Sequence, residues 1–321
     1  MTNRYVYDAE LTPLLGSTFQ PTGFPDIGPA TFTRFEDGVS VPSLLVESVQ
    51  SMANRLEGTA WSPAEDQPAP EVQGLPWVRV VRAGTDEFLT SSRLEAHRLA
   101  SPFVHTSTLD GTLMRTVIAQ RLGLSKDTPL NHRHIARAVA GLDPFCLVHG
   151  VFFSHKDWLG QPKIPRVISA VIEARDVQRA VSGGRKSDRV RHQLDKEAEG
   201  GGTAEGYGSV PFHRTEWTAK RILASFAIDI GQIRSYGLPT AASQLLEVLA
   251  QWEIRRFLAG SLRLRTACDL DVVSDLSPRP GTPDLPTDDR LSARFAELIA
   301  QSGDVFGDGG PITVEWTGKK A

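Results

Sequence analysis

Cysteine is nearly absent. Only Cys146 and Cys268 occur in 321 residues, each in an apolar run and neither in a C-x-x-C pair, so neither a disulfide framework nor a structural zinc site is expected. No apolar stretch approaches membrane-span length, and the N-terminal MTNRYVYDAEL has no signal-peptide core. A cytoplasmic location without a membrane partner is expected. Nucleotide-loop motifs are missing too. Gly201 and Gly206 have the Walker gap, but Tyr207 stands where Lys is required, and no G-x-G-x-x-G begins at Gly200 or Gly202. Neither a G-x-S-x-G elbow nor an H-E-x-x-H pair is present. His132 and His134 lie two apart in a helical pattern, hence on different faces, which argues against a shared metal. Asp269 and Asp271 read as the polar end of a strand. No metal and no cofactor are expected.

What remains is a globular composition, 40% hydrophobic and 23% charged, with formal charge −3 and pI near 6.3. The charge is unevenly spread. Between Lys156 and His192 nine Lys/Arg face four acids, whereas residues 269–310 hold nine acids against three arginines. The basic window reverses the sign of the whole chain, which points to an anionic polymer as partner. Within it, Arg185, Lys186, Arg189, Arg191 and His192 follow Gly183-Gly184 in a loop that needs no burial. Such a loop can wrap a phosphodiester backbone in a salt-sensitive way. Phe152, Phe153, Trp158, Tyr207, Phe212 and Trp217 could stack on unpaired bases, although only one of the adjacent Phe152 and Phe153 can face a ligand.

Residues 13–29 are rich in Gly and Pro and read as loop. Strands 30–34 and 39–41 flank an Asp37-Gly38 turn, a hairpin signal. Leu45, Val49, Met52, Ala53 and Leu56 have helical spacing, with Ser43 as candidate N-cap and Gly58 as the stop. Gln50, Asn54 and Arg55 then lie on the other face, which by itself reads as solvated. Trp77–Arg82 reads as a strand, and helices are expected at 92–99, 111–122 and 131–140. A buried strand is expected at 145–154, one or two strands at 163–181, and a strand pair at 209–217 and 222–233. Residues 241–258 form the clearest amphipathic helix, with Leu245, Leu249, Trp252 and Leu258 as its stripe. A strand at 262–270, a helix near 290–300 and a final strand at 312–316 follow. This order predicts an α+β fold, an antiparallel sheet covered on one side, with a helical insertion at about 62–141.

Five segments carry a family resemblance: FQPTGFPDIG (19–28), SVQSMANRLE (48–57), HGVFFSHKDWLGQPKIPR (149–166), GYGSVPFHRTEW (206–217) and IRRFLAGSLRLRTACDL (254–270). They resemble the RAMP-superfamily backbone subunit of the type I-G (formerly I-U) CRISPR Cascade complex. GYGSV is also similar to the glycine-rich loop of type III backbone subunits. The resemblance implies a single domain over 1–321: an RRM-like (ferredoxin-like) palm with helical finger-type insertions and a basic, glycine-rich thumb-type loop at 182–208. It implies partners as well: CRISPR guide RNA, target DNA through guide pairing, further copies in a head-to-tail filament, and the other Cascade subunits. Those are the large subunit and the guide-processing subunit that caps the 5′ end.

On the same resemblance Gln50, Asn54 and Arg55 become guide-backbone candidates, against the solvated-face reading. Lys163, Arg166, His213, Arg214, Arg263 and Arg265 join them. The family's backbone subunit is not a nuclease. Two enzyme alternatives compete: a RAMP endoribonuclease using His149, His155 or His213 as acid/base, and a metal-assisted cleavage positioned by Asp188 or Asp269.

Overall fold

Alternation writes the first strand. In β1 (Arg4–Pro13) Tyr7, Ala9 and Leu11 are buried, while Asp8 and Glu10 lie on the opposite face. The structure is a computed structural model and describes residues 2–24, 27–187 and 209–318. The expected hairpin follows as β2 (Thr31–Glu36) and β3 (Val39–Glu47). Asp37 and Gly38 turn it with φ of 49° and 79°, the paired left-handed backbone that matches strand twist. In α1 (Val49–Gly58) the N-cap is Ser48, whose hydroxyl accepts from the Ser51 amide at 3.3 Å. Ser43, the expected cap, lies inside β3.

The segment 62–141 is only partly helical. It carries β4 (Trp77–Arg82) and β5 (Phe88–Ser91) before α2 (His132–Ala140). Residues 92–99 form turns and the start of a short 3-10 helix, and the helix expected from 111 begins at Met114. The expected strand 145–154 is instead the short helix α3 (Phe145–His149) followed by β6 (Val151–Phe152). Gly150, at φ 82°, separates them. A short apolar run does not by itself distinguish helix from strand, and here a glycine decides it.

β7 (Lys163–Ile164) pairs with β6, and then comes the longest pair, β8 (Ile168–Ser187) with β9 (Ser209–Asp229). Their register runs from Ile168↔Ile228 to Ser187↔Ser209. The two strands expected at 209–217 and 222–233 are therefore one, and 230–233 is helical. Asp229 ends the strand by accepting the Gln232 amide at 2.8 Å. The amphipathic helix α4 (Thr240–Ala259) stands where its stripe put it. The strand expected at 262–270 is a hairpin, β10 (Leu262–Arg265) and β11 (Cys268–Val272), turned at Ala267 with φ 56°. The helix α5 (Asp288–Gln301) and β12 (Pro311–Trp316) end the described chain's regular structure.

The large sheet has the order β10-β11-β1-β9-β8-β3-β2, with the short strand Ser277–Pro278 beside β1 and every pairing antiparallel. This is the α+β fold with an antiparallel sheet that the sequence predicts. The helices α1 and α4 cover one face. Met52, Leu56, Leu245 and Leu249 join Tyr7, Leu44, Ile172 and Phe226 in its core, each buried Leu or Phe contributing ~1.5–3 kcal/mol. A second sheet forms where the chain end returns. There β12 runs parallel to β4, from Pro311↔Trp77 to Trp316↔Arg82, with β5 on β4's other edge. Trp77, Val78, Val80 and Val81 are all buried, so β4 has two apolar faces and needs cover on both. Among the described residues no helix is long and apolar enough to cross a membrane.

Candidate nucleic-acid interface

A groove of about 430 Å³ opens beside α3, where β6 and β7 pair, and Arg98, Gly150, Phe152, Lys163 and Arg166 line it. Its backbone is set by one glycine. A Cβ on Gly150 would stand 2.9 Å from the Ile164 carbonyl and 3.1 Å from the Arg166 amide, at a positive φ as well. That contact seats Lys163 and Arg166 against the end of α3. Gly150→Ala is expected to lower stability by about 1–3 kcal/mol from the backbone strain alone, read as a fall in melting temperature.

Arg98 forms the floor. Its Nε and Nη2 donate to Glu57 of α1 at 2.7 and 2.6 Å, and its Nη1 donates to the Gly150 carbonyl at 3.1 Å. Both members of the pair are buried. Glu57 lies seven residues, two helical turns, beyond Gln50, so this pair ties α1 to the groove. Behind the floor, Arg93 stacks over Phe145 at 3.8 Å, and His149 Nε2 lies 2.8 Å from Glu253 Oε1 of α4. Burial pushes the Glu253 carboxyl above its ordinary value, and His149 pulls it back.

Two cations at the groove have no carboxylate within ion-pair reach among the described residues. Lys163 is exposed and stands 5.9 Å over the Phe152 ring. Arg166 is half-buried, and its Nε reaches the His149 carbonyl only at 3.5 Å. Burial, followed by the like charge of Arg98, holds its guanidinium below the ordinary arginine value.

The other candidates separate into sets. Gln50 and Asn54, four apart on α1, are both exposed on one helix face. Arg55 turns away: it donates to the Leu264 carbonyl and lies 3.6 Å from the buried Glu47. Arg265 also pairs with Glu47 and donates to the Gln20 carbonyl at 3.1 Å. Both arginines thus brace β3, α1 and β10 from within. Arg263 is exposed, across the hairpin from Asp269.

The far half of the β8–β9 ribbon carries Arg185 opposite Pro211 and His213 opposite Gly183. Lys186 lies opposite Val210 in the same register. Arg214 is paired with Glu216 at 3.1 Å and sits 5.9 Å over Phe212. Asp188, Arg189, Arg191, His192 and the glycine-rich segment with Tyr207 lie outside the described residues.

The open face of the large sheet offers no stacking platform in its central cleft. Asp8, Glu10, Arg34, Arg175, Arg221 and Arg279 line it, with no aromatic side chain. Arg279 pairs with Asp8 at 2.7 Å, Arg221 with Glu10 at 3.1 Å and Arg175 with Glu36 at 3.3 Å. The charge there is mutually satisfied, unlike that of the groove.

The family described as "CRISPR-associated protein GSU0053 (Cas_GSU0053)" matches residues 6–179, more than half of the chain. The chain belongs to this family. Its resemblance to RAMP-type Cascade backbone subunits holds on the same ground. The matched residues contain most of β1, α1, the groove and most of β8, and end before the far part of the ribbon. No curated protein matches the chain. Among solved structures, a chain titled "CRISPR RNA-guided surveillance complex, pre-nicking" is similar at 10% identity with a TM-score of 0.41. The similarity covers 95% of this chain and 90% of that one. The crystal structure of Thermofilum pendens Csc2 is similar at 10% identity with a TM-score of 0.32, over 94% of this chain and 72% of that one.

For this GSU0053-family chain the candidate acid/base histidines differ in access. The His149 side chain is fully enclosed against Glu253, out of reach of any substrate. His155 packs beside His105, with ring centroids 5.1 Å apart. His213 is exposed on the ribbon. Among the described residues no three His, Cys, Asp or Glu side chains are grouped so that they could hold a metal ion.

Proposed function

We propose that this chain is a non-catalytic RNA-binding backbone subunit of a type I Cascade complex, of subtype I-G, that lines up along the spacer of a CRISPR guide RNA. One observation carries it. The family match spans the groove where Lys163 and Arg166 lie without a carboxylate partner among the described residues, an arrangement open to an external anion. The large antiparallel sheet serves as an RRM-like palm, the mixed segment 62–141 as a finger-type insertion, and residues 182–208 at the end of the β8–β9 ribbon as a thumb. Copies stack head to tail, a heterologous contact that grows filaments instead of closed rings. The guide is presented so that Watson–Crick pairing reads target DNA while protein holds backbone and shape. The large subunit and the guide-processing, 5′-end-capping subunit complete the assembly, in the cytoplasm.

The test is incubation of the purified chain with end-labelled repeat–spacer RNA. The expected result is retained, intact RNA with several copies bound per spacer. Cleavage that disappears in His213→Ala would replace this function with that of a RAMP-type endoribonuclease.

A further inference from the structure

Among the described residues Phe152 is the one phenylalanine, tyrosine or tryptophan on the groove, and it is 48% exposed although its neighbours Val151 and Phe153 are buried. The strand β6 imposes this. Successive side chains alternate, and Phe153 fills the core edge-on to Trp158 at 5.2 Å, so the Phe152 ring must face outward. Packing within the chain covers only about half of that side chain. Its cross-strand partner in the register is Lys163, and Arg166 stands three residues further on the same segment. The Arg98 charge on the floor is already met by Glu57, so the anion deficit belongs to Lys163 and Arg166. His97 and Ser154 add polar groups to the lining.

A flat apolar ring beside two cations that lack a carboxylate partner among the described residues, in a mixed polar and apolar groove of about 430 Å³, fits a planar heterocycle joined to an anion. We infer that this groove is a subsite for one unpaired nucleotide of a single-stranded RNA, with its base on the Phe152 ring and its phosphate held by Lys163 and Arg166. This rests on the RNA-binding function proposed above and goes beyond it by fixing one nucleotide in one place. The two halves of the subsite act differently. The phosphate half is sequence-independent and weakens with salt, whereas stacking tolerates any base and does not depend on salt.

The experiment uses the full chain and oligouridylate probes that carry a single 2-aminopurine at successive positions. Affinity, salt slope and probe fluorescence are measured for wild type, Phe152→Leu, Phe152→Trp and the double variant Lys163→Ala/Arg166→Ala. Phe152→Leu is expected to weaken binding about tenfold, to abolish the stacking quench at one probe position, and to leave the salt slope unchanged. Phe152→Trp should restore affinity and quench. The double variant should weaken binding and flatten the salt slope. Circular dichroism confirms folding, which substitution of a half-exposed ring leaves intact.

Wild-type affinity and quench in Phe152→Leu, with wild-type protein still binding RNA, would overturn the subsite and leave the RNA-binding function standing. No RNA binding by wild type at low salt would overturn both. A polyglutamate probe that binds wild type but not the double variant, with RNA affinity equal in the two, would assign the groove to an acidic protein segment and overturn the subsite.

Discussion

Arg98→Ala is expected to lower the unfolding free energy by about 3–5 kcal/mol, the usual cost of stranding one member of a buried ion pair. Glu57 would keep its charge in a site where both side chains are about nine-tenths enclosed, and the Gly150 carbonyl would lose a donor. The cost is a stranding cost and not the worth of the pair. The double variant Glu57→Leu/Arg98→Met should therefore recover most of the loss, because well-packed apolar side chains replace a buried pair at little net cost. Urea unfolding of Glu57→Leu, Arg98→Met and the double variant gives the coupling energy directly. Additive single and double effects would show that the pair does not tie α1 to the groove.

Glu47→Ala is expected to cost about 2–4 kcal/mol, somewhat less because Arg55 and Arg265 are each partly solvated at 29% and 23% exposure. Glu47 itself is only 3% exposed. Without it two guanidinium groups would face each other between β3, α1 and β10. Glu47→Gln, which keeps an acceptor, should cost less. The same geometry separates two roles for Arg55. As a brace, Arg55→Ala lowers the melting temperature together with any RNA affinity. If Arg55 lies on RNA, affinity falls while melting is unchanged.

The fold was legible where periodicity is long. The stripe of α4 and the Asp37-Gly38 hairpin stand as the sequence predicts. β1 carries an alternation of Tyr7, Ala9 and Leu11 that would have marked it as a central strand, yet its polar alternate residues make it look like a solvated end. The break seen at 218–221 is polar but not structural, because β9 continues there as a ribbon with one flank open to water. Within 62–141 the strand expected at Trp77–Arg82 stands as β4, but its parallel partner β12 lies more than two hundred residues away. Local pattern cannot report such a pairing.

The site divides in the same way. The sequence allowed only one of Phe152 and Phe153 to face a ligand, and the structure exposes Phe152; Lys163 and Arg166 entered through the family resemblance and both line the groove. Arg98 carried no signal, because its meaning depends on Glu57, forty-one positions earlier, and on a carbonyl fifty-two positions later. Arg55 and Arg265 looked like free cations until Glu47 was placed between them. A one-dimensional count of basic residues does not subtract the acids that fold against them.

The central claim is that Lys163 and Arg166 hold RNA phosphate. The most direct measurement is the dependence of the single-stranded RNA binding constant on salt, for wild type and for Lys163→Ala/Arg166→Ala. Each phosphate contact on a single strand contributes a slope of about −0.7, so the variant, losing one phosphate contact, should bind more weakly with a log–log slope shallower by about 0.7. Equal affinity and equal slope in the two proteins would contradict the account.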